Sequence, residues 1–230
     1  MAKEKTIFKA AIPQPEHKIK IPKYSLSEEL ISSISHGAGA MLGIAALILC
    51  VIRGAQHHNP WAVVSGAIYG GTLTILYLMS TLYHALKVNK AKRVFRVIDH
   101  CSIFLLIAGT YTPYTLVSLR ESVGWYLFAV VWGAAVLGII LNAIDLKKYA
   151  KASVFCYLAM GWVVIFAYGH MVKAVPHAGM LLLIWGGVAY SVGALVYAIG
   201  SKKKYFHSIF HFFCLIGSAL HFFSIYLYVL

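Results

Sequence analysis

Seven runs of about twenty apolar residues follow one another along this chain, near Leu30–Ile52, Trp61–Tyr83, Ile98–Leu119, Val123–Ile144, Ser153–Val172, Gly179–Gly200 and Phe206–Val229. A helix rises about 1.5 Å per residue, so each run is long enough to cross a hydrocarbon core of about 30 Å. Inside that core the backbone must satisfy its own hydrogen bonds, which selects helices. The expected fold is therefore all-α and integral to the membrane, a seven-transmembrane-helix bundle. Composition agrees: 60% of the residues are hydrophobic and 12% are charged, where soluble domains carry about 25% charged residues. Too little polar surface is left to wrap a water-exposed globule, and disorder or a disulfide scaffold is excluded. The connections are short, no internal repeat is visible, and there is no room for a second folded domain.

The net charge of +13 is carried unevenly. The tail before the first run holds Lys3, Lys5, Lys9, Lys18, Lys20 and Lys23. The second connection holds Lys87, Lys90, Lys92, Arg93 and Arg96, the fourth Lys147, Lys148 and Lys151, and the sixth Lys202, Lys203 and Lys204. Only Arg53, Arg120 and Lys173 fall on the other side, a division of 17 against 3. The positive-inside bias then predicts a cytoplasmic N-terminus and, after seven crossings, an outside C-terminus, in the cell inner (plasma) membrane. Basic residues on that face meet anionic inner-leaflet headgroups, at about 1 kcal/mol each. The charge thus needs no nucleic-acid partner. Two units are expected: residues 1–27, a partly disordered cytoplasmic tail without a signal peptide's apolar core, and residues 28–230, the seven-helix membrane domain. Ser25-Leu26-Ser27-Glu28 reads as a capping box opening the first helix.

Ionisable residues at membrane depth are costly and are functional candidates by default. Ser80 and His84 stand at the end of the second helix, Asp99 at the start of the third, His207 and His211 at the start of the seventh, and His36 near the start of the first. The predicted topology puts all of them at one membrane surface. His207 and His211 are four residues apart, so both rings leave one helical face and can grip one ion. A third histidine from another helix completes three nitrogens and leaves a fourth position for water, the arrangement of a catalytic zinc site. Asp99 would then hold or deprotonate that water, or orient a ligand. The bland alternatives stay open: histidines can rest among headgroups, and an acid at a helix N-terminus suits the macrodipole.

The remaining candidates carry less. Cys50, Cys101, Cys156 and Cys214 sit singly in four helices without paired spacing, as small core residues. His17 belongs to the tail, and His57, His58, His170 and His177 to outer loops. His100 points about 100° away from Asp99 on a helix. His221, fourteen residues past His207, is expected to hydrogen-bond inside the bundle. Glu28 and Glu29 suit the first helix's dipole. Gly37, Gly39 and Gly43 permit close helix approach, and Pro113 is expected to kink the third helix.

At these residues the chain resembles the progestin and adipoQ receptor superfamily: Ser80-x-x-x-His84, then Asp99, then His207-x-x-x-His211. The stretches from Asp99 to Pro113 and from His207 to His211 are similar to its bacterial branch, the hemolysin III family. The resemblance runs from about Glu28 to the C-terminus. It implies seven helices, a cytoplasmic N-terminus and zinc near the inner leaflet, with His84, His207 and His211 as ligands. Asp99 would contact the metal through water, and Ser80 would line the site. The family's first-helix motif of an acid, an Asn and a His is met by Glu28 or Glu29 and by His36, with Ser32 in the Asn position. The superfamily is similar to the alkaline ceramidases, membrane zinc amidases. The resemblance thus implies a zinc-water hydrolase of an N-acyl lipid entering from the inner leaflet, with Asp99 as general base and Ser80 stabilising the oxyanion. Other classes are a receptor or membrane-state sensor with structural zinc, and a pore-forming hemolysin. A metal transporter requires polar residues to continue across the membrane, and the middles of these helices are nearly free of them.

Overall fold

The computed structural model describes residues 21–200 and 203–230, and every described element is helical. Most of the expected tail, with Lys3, Lys5, Lys9, His17, Lys18 and Lys20, lies outside the described residues, as does Lys202. Helix α1, Leu26–Gln56, opens on the expected capping box. The Ser25 hydroxyl accepts the Glu28 N–H and the Glu28 carboxylate accepts the Ser25 N–H at 2.8 Å. Helix α2, Pro60–Ala85, has proline in its first turn, where no N–H is needed, and Asn59 accepts from Trp61 and Ala62.

Helix α3, Lys90–Pro113, begins eight residues before the expected apolar run, because Asn89 caps it by accepting the Lys92 N–H. The basic cluster from Lys90 to Arg96 is thus the first two turns of a helix and not a loop. Pro113 ends α3, and a π-helical turn, Tyr114–Ser118, follows it. Helix α4, Gly124–Trp162, continues through a 3-10 turn, Val163–Ala167, into the short α5, Tyr168–Ala174. Helices α6, His177–Gly200, and α7, Phe206–Tyr228, complete the fold.

Six helical stretches among the described residues are long and apolar enough to span a membrane. The fourth, Gly124–Ala174, has 51 residues, about 76 Å if straight and more than twice a hydrocarbon core. It is not straight: Asp145 is extended, at φ −155° and ψ 90°. Its carboxylate accepts the Lys148 N–H at 3.0 Å, as an N-cap does. Lys147, Lys148 and Lys151 therefore start a new helical segment.

Sequence neighbours pack together, α1 on α2, α2 on α3, α3 on α4 and α6 on α7, and α7 returns to α1. Helices α4 and α6 meet sparingly. The outer faces are apolar, with Met41, Leu42, Phe155 and Phe166 exposed, as a lipid-facing surface requires. The interior is more polar than the sequence suggests. Ser65, Tyr69, Thr72, Tyr77, Thr110, Thr112, Thr115, Ser218 and Ser224 are all buried. Tyr77 and Tyr190 both hydrogen-bond to the Ser218 hydroxyl, and Tyr114 donates to Ser224, which donates to the Gly179 carbonyl. Hydroxyls escape a search for charge because most of them are satisfied on a carbonyl or a neighbouring hydroxyl, as Thr72, Thr110, Thr112 and Thr115 are on carbonyls of their own helices. Of the cysteines, Cys50 and Cys214 are buried, whereas Cys156 is exposed and is no core residue.

Candidate metal centre

Helices α1, α3 and α7 begin at one end of the bundle, and α2 and α6 end there. At this end the side chains of His84, His207 and His211 converge. One ligand nitrogen from each lies within 4.8 Å of the others. The His207 Nε2 is 3.2 Å from the His84 Nε2 and 3.2 Å from the His211 Nε2. Four-residue spacing on α7 places the second pair, and α2 delivers the third ring from its last turn. Tetrahedral coordination at a metal–nitrogen bond of about 2.05 Å demands neighbouring nitrogens about 3.3 Å apart. The two spacings from His207 fit that edge, and the third pair lies within 4.8 Å, so the three rings could hold one metal ion.

Ring packing fixes them further. His36 stacks on His211, with centroids 3.7 Å apart, and meets the Tyr77 ring edge-on. Tyr24 stacks on His207 at 4.7 Å. Burial, and then the Tyr83 hydroxyl, raises the Tyr24 phenol well above its ordinary range, so Tyr24 stays neutral. The His84 Nδ1 is 2.7 Å from the Glu29 Oε2, and the Lys92 Nζ donates to the Glu29 Oε1 at 2.6 Å. Lys92 is only 1% exposed, so it does not face lipid headgroups as the charge count supposed.

Asp99 and Ser80 line the wall next to this cluster. Ser80 is buried one turn before His84 and faces the Asp99 carboxylate. Asp99 stands outside the group of ligand atoms gathered within 4.8 Å. His100 stands outside the trio, with its Nδ1 2.9 Å from the Arg96 carbonyl and 3.7 Å from the Asp99 Oδ2, so, against expectation, it does not point away from Asp99. His221 is also remote, its Nε2 3.1 Å from the Leu183 carbonyl inside the bundle. A cavity of about 820 Å³ extends from the cluster between α3, α4, α6 and α7, walled by residues such as Ile103, Ile107, Leu183 and Ile184.

The first-helix motif was legible in the sequence as Glu28 or Glu29, Ser32 and His36, but without the contacts that these residues make. Glu29, Ser32 and His36 recur at three and four residues and so share one helical face. Glu29 reaches His84, the Ser32 hydroxyl is 3.2 Å from that of Ser208, and His36 covers His211. That spacing selects Glu29 over Glu28, the choice the motif alone left open.

Comparison with known proteins places the chain. A family described as "Haemolysin-III related" matches residues 24–222. The chain is 42% identical to "Hemolysin-3" of Bacillus cereus over 205 residues, 89% of this chain and 93% of that protein. It is 40% identical to "Hemolysin-3 homolog" of Bacillus subtilis (strain 168), over 89% of this chain and 96% of that one. "Monocyte to macrophage differentiation factor" of Homo sapiens is 25% identical, over 83% and 81% of the two chains. Its match fits the wider progestin and adipoQ receptor superfamily. The chain is a multi-pass membrane protein that belongs to the hemolysin III family.

Proposed function

We propose that this protein is a zinc-dependent hydrolase of N-acyl lipids, seated in the cell inner membrane. The observation that carries this reading is the convergence of three imidazole nitrogens at the end of an apolar cavity of about 820 Å³. A chain of this kind needs a dry slot for an acyl tail and a polar end for the bond to be broken, and the two are continuous here. The donor set is nitrogen only, which favours zinc over softer-metal chemistry.

The 51-residue stretch supports seven crossings, because a helix restarting at Asp145 divides it into two spans. With Lys147, Lys148 and Lys151 beside that break, 17 of the 20 basic residues fall on the side of the N-terminus. This favours a cytoplasmic N-terminus, an outside C-terminus and a centre in the inner leaflet, among anionic headgroups.

When bound, zinc polarises an amide carbonyl and brings the pKa of its water to about 7. His84, His207 and His211 would hold the ion. Asp99, set back from the trio, accepts the proton of the attacking water and returns it to the leaving amine. The Ser80 hydroxyl donates to the oxygen that gains charge. The cavity walls bind the acyl chain and exclude bulk water. Purified protein in lipid nanodiscs tests the reading by metal analysis and fatty-acid release from a panel of N-acyl lipids. One zinc per chain is expected in the wild type, and background zinc in His211→Ala. Asp99→Asn should keep its zinc and lose release. A zinc-loaded wild type that releases nothing from any lipid of the panel overturns the hydrolase and leaves a structural metal. Single-channel currents from the same preparation would instead support a pore.

A further inference from the structure

We infer that Glu29, charge-paired with Lys92, is the positioning residue of the metal centre, holding His84 in the tautomer that keeps its Nε2 free to bind. The two oxygens of the Glu29 carboxylate have separate tasks. Oε2 lies 2.7 Å from the His84 Nδ1, and Oε1 accepts from the Lys92 Nζ at 2.6 Å. An ionised carboxylate only accepts, so the His84 Nδ1 carries the proton. A neutral imidazole has one N–H, and the His84 Nε2 is left as a lone pair facing the His207 Nε2.

Lys92 keeps the carboxylate ionised. Its ammonium is buried and also donates to the Leu86 carbonyl at 3.0 Å, two residues past His84, and lies over the Tyr83 ring. The cation is thus anchored to the turn of α2 that carries the ligand. The other two ligands have no such carboxylate: among the described residues, no side chain hydrogen-bonds to the Nδ1 of His207 or of His211. Their rings are set by stacking and by helix spacing, whereas the His84 ring is set by charge. The preceding acid has a different task. Glu28 closes the capping box and accepts the Tyr205 N–H at 2.8 Å, bracing α1 against the start of α7.

Lys92 makes the chemistry sharply testable. In Glu29→Gln the lysine can only donate, so the Gln carbonyl oxygen turns to Lys92 and the amide NH2 turns to the His84 Nδ1. His84 must then accept at Nδ1 and carry its proton on Nε2, the wrong tautomer for a ligand. Lys92→Met in the same chain frees the Gln to reverse and donate nothing to His84. The metal part of the test rests on the trio holding a metal, but the tautomer part does not. Nitrogen-15 spectra of His84 in metal-free, full-length protein in nanodiscs should show the Nδ1–H form in wild type and the Nε2–H form in Glu29→Gln. The double variant Glu29→Gln/Lys92→Met should return to the Nδ1–H form. Zinc should bind Glu29→Gln about 10- to 100-fold more weakly, the usual scale for loss of such a partner, and the double variant should recover most of that loss. Glu28→Gln should lower the melting temperature while leaving the tautomer alone. A metal-free wild type with His84 in the Nε2–H form overturns the inference by itself, even if Glu29→Gln does not fold. So does a folded Glu29→Gln that binds zinc as tightly as wild type. A wild type that binds no zinc but shows the expected tautomers overturns the metal reading and leaves the positioning role standing.

Discussion

The seam between α1 and α2 and the cavity wall on α4 differ in how closely their surroundings approach a glycine. Where α1 meets α2, a Cβ on Gly54 would stand 2.6 Å from the Val63 backbone nitrogen. A Cβ on Gly43 would stand 3.1 Å from the Thr74 Cα. On α4, Gly161 lines the cavity and has nothing within 4 Å of that position. One side is packed backbone to backbone, and the other surrounds open volume. The division suits the proposed chemistry. Ligand atoms must be held to tenths of an ångström, and Glu29, Lys92 and His84 stand on or against the tight pair. An acyl chain needs only room, and the slack side provides it.

The contrast breaks first where backbone meets backbone. Gly54→Leu should eliminate folded protein, because the neighbour it strikes is backbone and cannot give way. Gly161→Leu should leave the yield of monodisperse protein unchanged, read by size-exclusion chromatography. Equal yields would show that the two sides do not differ in packing. Next in size is His211→Ala, for which zinc by mass spectrometry should fall to background while the helical circular dichroism persists. On the slack side, Ile107→Trp puts bulk into the cavity. Fatty-acid release should drop about tenfold, roughly 1.4 kcal/mol in the barrier, with zinc content unaltered. Loss of zinc together with release would mean that the cavity and the centre are not separable. The smallest effect belongs to Cys156→Ser. This exposed residue should shift unfolding by less than about 0.5 kcal/mol.

Much of this was readable before any coordinates. The capping box marked the start of α1 to the residue, because its two hydrogen bonds are local and depend only on Ser25 and Glu28. The i, i+4 histidines of α7 were readable for the same reason. The start of α3 was obscured by its own charges: Lys90 to Arg96 read as a loop, although Asn89 carried the cap. Asp145 was hidden differently. The run boundary at Ile144 was visible, but the apolar pattern gave no sign that the chain would restart its helix at once on an aspartate cap. Lys92 was beyond reach, because counting charge treats every lysine as solvated. Only tertiary pairing distinguishes one buried against Glu29 from its neighbours on the same turn.

The bond from Glu28 to the Tyr205 N–H joins residues 177 apart, and His84 meets His207 across 123. During synthesis, the first ligand and the acid that orients it are made early, and they wait for the last helix. Tyr205 stands in the left-handed region at φ 65°, costly for an aromatic residue and held there by the Glu28 contact. Joining α1 to the start of α7 thus closes a loop of 177 residues, whose entropic cost grows only slowly with its length. A chain truncated between α2 and α7 presents a lone His84 without its two partners on α7. Acquisition of metal by the finished trio would thus report that the whole membrane domain has been made and assembled.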